Sequence, residues 1–245
     1  AVVNGPSHQD GAPLPWPIEA RLSDPTDRYP HNVLGRIPSF TTLTVTAEVC
    51  SACAAPQVSA ALTLSAPLVF EDVAPRLWDV TGDGRPEVVV VQSHEKLGAR
   101  LTVWELRDEP ASGTALFRMI AATDFIGTRF RWLAPVGYGD FTDDGHIEIA
   151  YVETPHLGKT LRLVGLEGDR LADRAALSGV TNHRIGEEDI AGGVRVCDGR
   201  AEAVLATADW RRIVAVAWED GTLVRRDLGA LTGPQDWARA LACPD

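Results

Sequence analysis

An acidic segment of nine residues occurs twice in this sequence and constrains its fold more than any other feature. The first copy is Asp79-Val-Thr-Gly-Asp-Gly-Arg-Pro-Glu87, which runs directly into four valines, and the second spans Asp140–Glu148. Each copy has carboxylates at its first, fifth and ninth positions, threonine at the third and glycine after the central aspartate. Alternate oxygens of such a spacing can turn inward, and glycine permits the sharp bend. Two copies predict two equivalent turns, each followed by a buried strand.

The residues around these segments recur as well. Asp79 and Asp140 lie 61 residues apart (140 − 79), and Ala134 and Ala191 lie 57 apart (191 − 134). Each unit reads as four short strands, and a four-stranded sheet must stack against its neighbours to cover both faces. Three full units after an incomplete first one predict an all-β fold, a small β-propeller of four blades with four strands each.

The predicted boundaries follow from the repeat. Residues 1–16, rich in glycine and proline, are expected to be a loose lead-in to one domain over 17–245. The segment 237–245 aligns with 132–140, so residues 236–245 are expected to be a strand that closes the ring by pairing with the N-terminal segment. The four blades are predicted at 17–70, 71–127, 128–187 and 188–235.

In the third copy, Asp198, Gly199 and Glu202 are kept, but valines stand at the first and third positions of the acidic segment. These valines, Val194 and Val196, offer no oxygen from their side chains. The third loop is therefore expected to hold no metal.

Composition narrows the class of partner. A formal net charge of −11 and a pI near 5.0 argue against a surface that binds nucleic acid phosphates. No apolar run approaches the ~20 residues that span a bilayer. Protein or carbohydrate partners are the remaining expectation.

Four cysteines point to an oxidising compartment. Cys50 and Cys53 are expected to form a short-loop disulfide; a redox pair or half of a zinc site are the alternatives. Cys197 and Cys243 fall near the same end of neighbouring predicted inner strands and are expected to form a second disulfide; a frayed C-terminal tail with free thiols is the alternative. A start at Ala1 fits a removed signal peptide, or equally a cloning boundary, and we expect a secreted or periplasmic protein.

The repeated unit of this sequence consists of an inner strand, an Asp-x-x-x-Asp-Gly-x-x-Glu loop, a strand such as EVVVV and a glycine turn. This order resembles the FG-GAP/VCBS repeat of integrin-like and secreted bacterial propellers. The resemblance covers roughly residues 17–245 and implies structural calcium in the acidic loops. An alternative is a turn held by hydrogen bonds between aspartate and backbone. The implied ligands are Asp79, Thr81, Asp83, the Arg85 carbonyl and Glu87 in the first loop, and Asp140, Thr142, Asp144, the His146 carbonyl and Glu148 in the second.

The face opposite the acidic loops is where the resemblance places partner binding. His31, His94 and His156 occupy matching turns of three units, and Trp210 stands in the fourth. The predicted links between blades contribute further candidate residues to this face: Asp124, Arg129, His183, Arg184, Glu187 and Glu188. Converging imidazoles could bind zinc; histidine, arginine and tryptophan could hold a sugar or a carboxylated ligand. A third reading has each histidine capping its own turn.

Catalytic motifs such as GxSxG, HExxH, a P-loop or a dinucleotide fingerprint are absent from the sequence. The leading hypothesis is a non-catalytic binding module for a protein or a carbohydrate. The alternative is a lyase or hydrolase that uses a metal, or histidine and arginine, on the histidine-bearing face, with Glu187 or Glu188 and His183 as acid and base. Four tryptophans on or beside strands are expected to belong to the core: Trp78, Trp104, Trp132 and Trp218.

Overall fold

A computed structural model describes residues 2–4, 14–50, 56–109 and 114–243, and within these ranges the chain is all-β except for one helix. This confirms the all-β part of the predicted fold. None of the helical residues in these ranges forms a span long and apolar enough to cross a bilayer. The strands are β1 Val2–Asn4, β2 Trp16–Thr26, β3 Ser39–Glu48, β4 Gln57–Thr63, β5 Leu68–Phe70, β6 Arg76–Trp78, β7 Glu87–His94, β8 Gly98–Glu109, β9 Thr114–Ala122, β10 Leu133–Gly139, β11 Glu148–Glu153, β12 Thr160–Glu167, β13 Arg170–Ser178, β14 Val180–Thr181, β15 Gly193–Cys197, β16 Arg200–Thr207, β17 Arg212–Glu219 and β18 Thr222–Ala230; the helix is α1 Gln235–Leu241.

The chain divides into two compact units. Unit 1 is Ala1–Arg131 with Gly168–Arg170, and unit 2 is Trp132–Glu167 with Leu171–Asp245. Unit 1 contains two antiparallel groups of four strands, β1–β2–β3–β4 and β6–β7–β8–β9. Strand β5 joins them, because it pairs with β3 and with β7.

Strand β7 shows why the apolar runs after the acidic segments are central strands. All of its residues from Glu87 to Ser93 are buried, so both faces of the strand are covered. The core of unit 1 packs around it, and Trp104 stacks on Phe117 with ring centroids 5.5 Å apart. The turn before β8 needs Gly98, where an added Cβ would lie 2.3 Å from the carbonyl oxygen of Thr128.

Unit 2 repeats the same order twice. Strands β10–β11–β12–β13 form one group and β15–β16–β17–β18 the other, with β14 paired to the far end of β16. Buried side chains of both groups share one apolar cluster, which includes Val152, Leu163, Leu205 and Val216. Strand β10 approaches β15 so closely that a Cβ on Gly137 would lie 2.4 Å from Cγ2 of Val194.

Two end segments differ from the prediction. Residues 2–4, expected to be part of a loose lead-in, form β1 and pair with 19–21 of β2. The C-terminal segment, expected to be a closing strand over 236–245, is helical from Gln235 to Leu241. The prediction of a C-terminal strand is therefore wrong, and the three residues of β1 pair with β2 instead.

The reason for the helix lies in its first turn and its apolar side. Pro234 has helical backbone angles, φ −58° and ψ −31°, and Asp236 Oδ2 accepts hydrogen bonds from the amide and hydroxyl of Thr232 and the amide of Gly233. Trp237 and Leu241 are four residues apart and pack on one cluster with Ile213. Local hydrogen bonds and helical spacing thus outweigh the strand alignment.

Two contacts fix the end of α1 against β15. The buried Arg195 donates from Nη1 to the carbonyl oxygens of Ala240, at 2.7 Å, and Ala242, at 3.0 Å. The predicted disulfide Cys197–Cys243 is confirmed, with Cα atoms 5.5 Å apart. Cys53 lies outside the described residues, so its pairing with Cys50 stays a prediction.

Candidate functional site

The first acidic loop is closed by hydrogen bonds from its own backbone. Asp79 accepts the amides of Gly82, at 2.8 Å, and Gly84, at 2.9 Å. Glu87, at the ninth position, turns inward and accepts the amides of Val80, at 2.9 Å, and Thr81, at 3.2 Å. Burial raises the pKa of Glu87 to about 7, against the opposing effect of the Val80 amide. The two end carboxylates of the loop therefore act as caps for amides.

The second loop repeats this arrangement, except that the first amide bound by its leading aspartate comes from one residue further along the chain. Asp140 accepts the amides of Asp144, at 3.2 Å, and Gly145, at 2.9 Å. Glu148 accepts the amide of Phe141 at 2.9 Å and the hydroxyl of Thr142 at 3.0 Å, and burial raises its pKa. The turn is thus a repeated structural device that links an inner strand to the buried strand after it.

These contacts bear on the calcium ligands that the resemblance implies. Calcium takes six to eight oxygens that face one point. In the described residues, no group of three or more His, Cys, Asp or Glu side chains is arranged to hold a metal ion. The loop carboxylates face backbone amides instead, which fits the alternative of a turn held by hydrogen bonds. Calcium binding at these loops stays a prediction for solution tests.

The third loop uses its glutamate differently. Glu202 is buried and accepts hydrogen bonds from Nε of Arg195, at 2.8 Å, and from Nη2 of Arg226, at 2.7 Å. Two arginines surround this carboxylate, and its charge is balanced within the protein. This group lines an open cleft of about 1140 Å³ in unit 2, together with the Cys197–Cys243 disulfide.

On the predicted binding face, His31 is held by a buried carboxylate. Its Nδ1 lies 2.7 Å from Oε1 of Glu71, and its ring stacks on Phe130 with centroids 5.1 Å apart. Glu71 also accepts the hydroxyl of Ser93 at 2.6 Å, and burial raises the pKa of this carboxyl. His31 thus belongs to a polar group inside unit 1 that it shares with Glu71 and Ser93.

His94 caps its own turn. Its Nδ1 accepts the amides of Lys96, at 3.0 Å, and Leu97, at 3.3 Å. This matches the reading in which a histidine stabilises a turn. Nearby in unit 1, Arg129 lies over the ring of Phe130 at 4.4 Å, while the exposed Asp124 forms an ion pair with Arg170 at 2.8 Å.

In unit 2 the structure brings two predicted residues into direct contact. Nε2 of His156 lies 2.8 Å from Nδ1 of His183, and Nε2 of His183 lies 3.0 Å from the carbonyl oxygen of Glu187. Because a carbonyl oxygen accepts, neutral His183 donates from Nε2 and accepts on Nδ1, so His156 donates. His183 is fully buried against Trp132, and burial lowers its pKa.

The histidine pair joins two surface segments that carry exposed side chains. Leu157 follows His156 and is 63% exposed, and Ile185 follows His183 by two residues and is 71% exposed. Next to Ile185 in the chain, the guanidinium of Arg184 lies over the ring of Trp210 at 4.1 Å, and Trp210 has φ +61°. We call Leu157, Arg184, Ile185 and Trp210 the apolar turn patch.

Several residues that matter here were not found from sequence. Glu71, Ser93 and Tyr29 complete the His31 group, and Trp132 supports the histidine pair. The acidic pair Glu71–Asp72 between two apolar strands was the available signal, because an isolated carboxylate is rarely buried without a partner. Of the tryptophans expected in the core, Trp104 and Trp132 are buried, whereas Trp78 and Trp218 are half-buried.

Comparison with known proteins gives no assignment. No protein-family model matches the chain, and no curated protein is significantly similar to it. The resemblance to FG-GAP/VCBS repeats therefore rests on the repeated residues themselves.

Proposed function

We propose that this chain is an exported four-bladed propeller of the FG-GAP/VCBS kind that acts as a non-catalytic binding module. Three successive groups of four antiparallel strands, β6–β9, β10–β13 and β15–β18, support the repeat. The group β1–β4 supplies the strands of a fourth blade. The Cys197–Cys243 disulfide supports an oxidising compartment.

Closure of the ring is tested by small-angle X-ray scattering of the full chain. A compact protein of this length has a radius of gyration of about 18 Å. A closed propeller should match this value, with a single-peaked distance distribution. A clearly larger radius with two maxima would show two separate units and would contradict a closed ring.

The observation that carries the binding function is the apolar turn patch of unit 2. Leu157 and Ile185 are mostly exposed, yet their segments are held together by the hydrogen bond between His156 and the buried His183. Apolar side chains held rigidly at a surface lose little entropy when a partner covers them. Exposed apolar patches on a rigid scaffold are typical of interaction sites.

The chemistry of the patch favours a protein partner over a sugar. A sugar is usually held by a free aromatic face, whereas one face of the Trp210 ring is covered by Arg184. Leucine and isoleucine suit aliphatic side chains, and tryptophan and arginine are enriched at protein interfaces. The proposed partner therefore presents apolar side chains beside a carboxylate that Arg184 can bind.

The enzymatic alternative has less support. His183, the predicted acid or base, is fully buried and has both ring nitrogens in hydrogen bonds. A general base needs a nitrogen within reach of the substrate proton. The pair acts instead as a positioning element for the two turns.

The proposal is tested with a library of random peptides displayed on phage and selected on the full chain. Enriched peptides should contain aliphatic residues and lose about tenfold or more in affinity for the Leu157→Asp and Ile185→Asp variants, because each buried aliphatic side chain contributes about 1.5–3 kcal/mol. Val196→Asp is the matched control, since Val196 is 62% exposed and lies on β15, outside the apolar turn patch.

Three results would contradict a protein partner of this kind. Enriched peptides could bind both patch variants and the control equally, which would place the site elsewhere. A glycan array could instead give binding that depends on Trp210, which would assign the patch to carbohydrate. Sedimentation could show that the chain dimerises through Ile185, which would make the occupant a second copy.

A further inference from the structure

We propose that strand β4 of unit 1 pairs with the same strand of a second copy of this chain and forms a reversible two-fold dimer. Strand β4 is the last strand of its group, and among the described residues it pairs with β3 alone. The edge of such a strand presents amides and carbonyl oxygens that can accept a further strand. This self-association is separate from the apolar turn patch and goes beyond the proposed binding function.

The outer strands of the four groups differ in charge. The last strands of the other three groups carry charged side chains, which discourage pairing with another chain. These are Arg118 in β9, Arg170, Asp173 and Arg174 in β13, and Arg225, Arg226 and Asp227 in β18. Strand β4 has the sequence QVSAALT, without charge, proline or glycine. Because the chain has a formal net charge of −11, a neutral edge lets two copies approach with less repulsion.

One face of β4 is exposed and the other packs on the core. The exposed residues alternate with half-buried ones and are Gln57, Ser59, Ala61 and Thr63. The half-buried Ala60 and Leu62 pack on the apolar cluster of unit 1. Strand β9 is a neighbour of β4 and packs on the same cluster through Phe117. Strand β9 therefore lies on the core side, and the exposed face stays open to a partner.

The pairing with β3 fixes which backbone groups of β4 point outward. Leu64 donates its amide to the carbonyl oxygen of Thr41 at 2.8 Å, and Val49 donates its amide to that of Pro56 at 2.7 Å. Successive residues of an antiparallel strand alternate between the two neighbouring strands in their hydrogen bonds. The even-numbered residues of β4 therefore bind β3. The amides and carbonyl oxygens of the four exposed residues point away from it.

These outward groups are complementary to themselves about a two-fold axis at Ala60. An antiparallel pairing centred on Ala60 places Ser59 opposite Ala61 of the second copy, and Gln57 opposite Thr63 of the second copy. All of these residues point outward, so each pair exchanges two hydrogen bonds, about eight in the whole dimer. Each copy covers the edge of the other, and the assembly closes as a dimer rather than growing into a fibre.

Sedimentation velocity of the full chain at increasing concentration tests this dimer. An edge of seven residues makes a small interface, so the dimer population should rise between about 10 μM and 1 mM. The variant Ala61→Pro should weaken association about tenfold or more, because both copies lose an outward donor. The pairing with β3 should persist, since proline is tolerated where the amide faces solvent. Ala61→Ser is the matched control and should associate like the wild type.

Amide exchange locates the interface in the wild type and serves if Ala61→Pro fails to fold. Exchange at Ser59 and Ala61 should slow several-fold as the concentration rises. Exchange at Ala60, whose amide binds β3, should stay constant. The variant Ile185→Asp should dimerise like the wild type, which separates this contact from the apolar turn patch.

Three results would overturn the proposal. The chain could stay monomeric up to about 1 mM, it could dimerise equally well as Ala61→Pro, or its amides at Ser59 and Ala61 could exchange at the same rate at every concentration. The scattering measurement of ring closure is made on Ala61→Pro, so that a dimer does not enlarge the radius of gyration.

Discussion

His156 and His183 share a hydrogen bond of 2.8 Å between Nε2 and Nδ1, although 27 residues separate them in the chain. The second nitrogen of His183 is committed to the Glu187 carbonyl oxygen. The pair therefore connects the turn after β11 to the link before β15. It stabilises the surface on which the proposed binding depends.

Acid should weaken this connection. Burial lowers the pKa of His183 below its usual value of 6.5, so below that pH the unfolded chain binds a proton that the folded chain does not. The stability contributed by neutral His183 is complete above pH 6.5 and is lost as the pH falls below it. The free energy of unfolding in urea should be measured at pH 7.5 and at pH 5.5. Its decrease between these two pH values should be about 1 kcal/mol smaller in His183→Gln than in the wild type.

The control for this pH experiment is His146→Gln, because the His146 side chain is 81% exposed. It should lose as much stability as the wild type over the same interval. An identical loss in the wild type and in His183→Gln would show that the buried imidazole makes no difference to the pH dependence.

Gly137 is expected to be essential for packing in unit 2. The Gly137→Ala variant would place a Cβ 2.4 Å from Cγ2 and 3.0 Å from Cβ of Val194, so strands β10 and β15 must separate. Overpacking of this kind typically costs about 1–3 kcal/mol. Chemical denaturation should show this loss, and adding Val194→Ala should recover part of it. Purely additive effects of the two substitutions would contradict the contact.

The disulfide should hold α1 in place. It closes a loop with a sequence separation of 46 residues, for which chain entropy predicts a contribution of about 4 kcal/mol. The double variant Cys197→Ala/Cys243→Ala should unfold at lower urea, and amide exchange should rise over 235–241. Exchange in β17 serves as the internal reference. Full protection of α1 in the variant would show that Arg195 and the apolar contacts suffice.

If the acidic loops are turns held by hydrogen bonds alone, calcium should have little effect on the stability of the protein. The Asp79 and Asp140 carboxylates are used by loop amides, so thermal unfolding in millimolar calcium and in EDTA should give the same midpoint. A bound ion at 100 times its dissociation constant would add about 2.7 kcal/mol, which is easily measured. Such an increase would instead support the calcium loops implied by the FG-GAP/VCBS resemblance.

Loss of the carboxylates that accept the loop amides should lower the free energy of unfolding with or without calcium. Asp79→Asn removes a charged acceptor, and about 1.5–3 kcal/mol is expected for hydrogen bonds to charged groups. The matched control is Asp143→Asn, an exposed loop aspartate with φ +57°, a conformation that asparagine tolerates. Equal stability of both variants would contradict the capping role of Asp79.

The sequence predicted many residues of the candidate site, but it did not predict which other residues they contact. The matching turns predicted His31, His94 and His156 as a set, yet each has a different environment: His31 binds a buried glutamate, His94 caps its turn and His156 binds His183. A side chain's partner depends on which distant segment packs beside it. The separation of 40 residues between His31 and Glu71 carries no local signal.

By itself, the sequence determined the all-β class, the buried strands after the acidic segments and the turns between them. These features follow from alternation, glycine positions and acidic spacing, which act between near neighbours or repeat along the chain. Tertiary structure alone decided that residues 2–4 pair with β2, that His31 meets Glu71 and that His156 meets His183. Those outcomes depend on competition between alternative partners, which only the packed chain resolves.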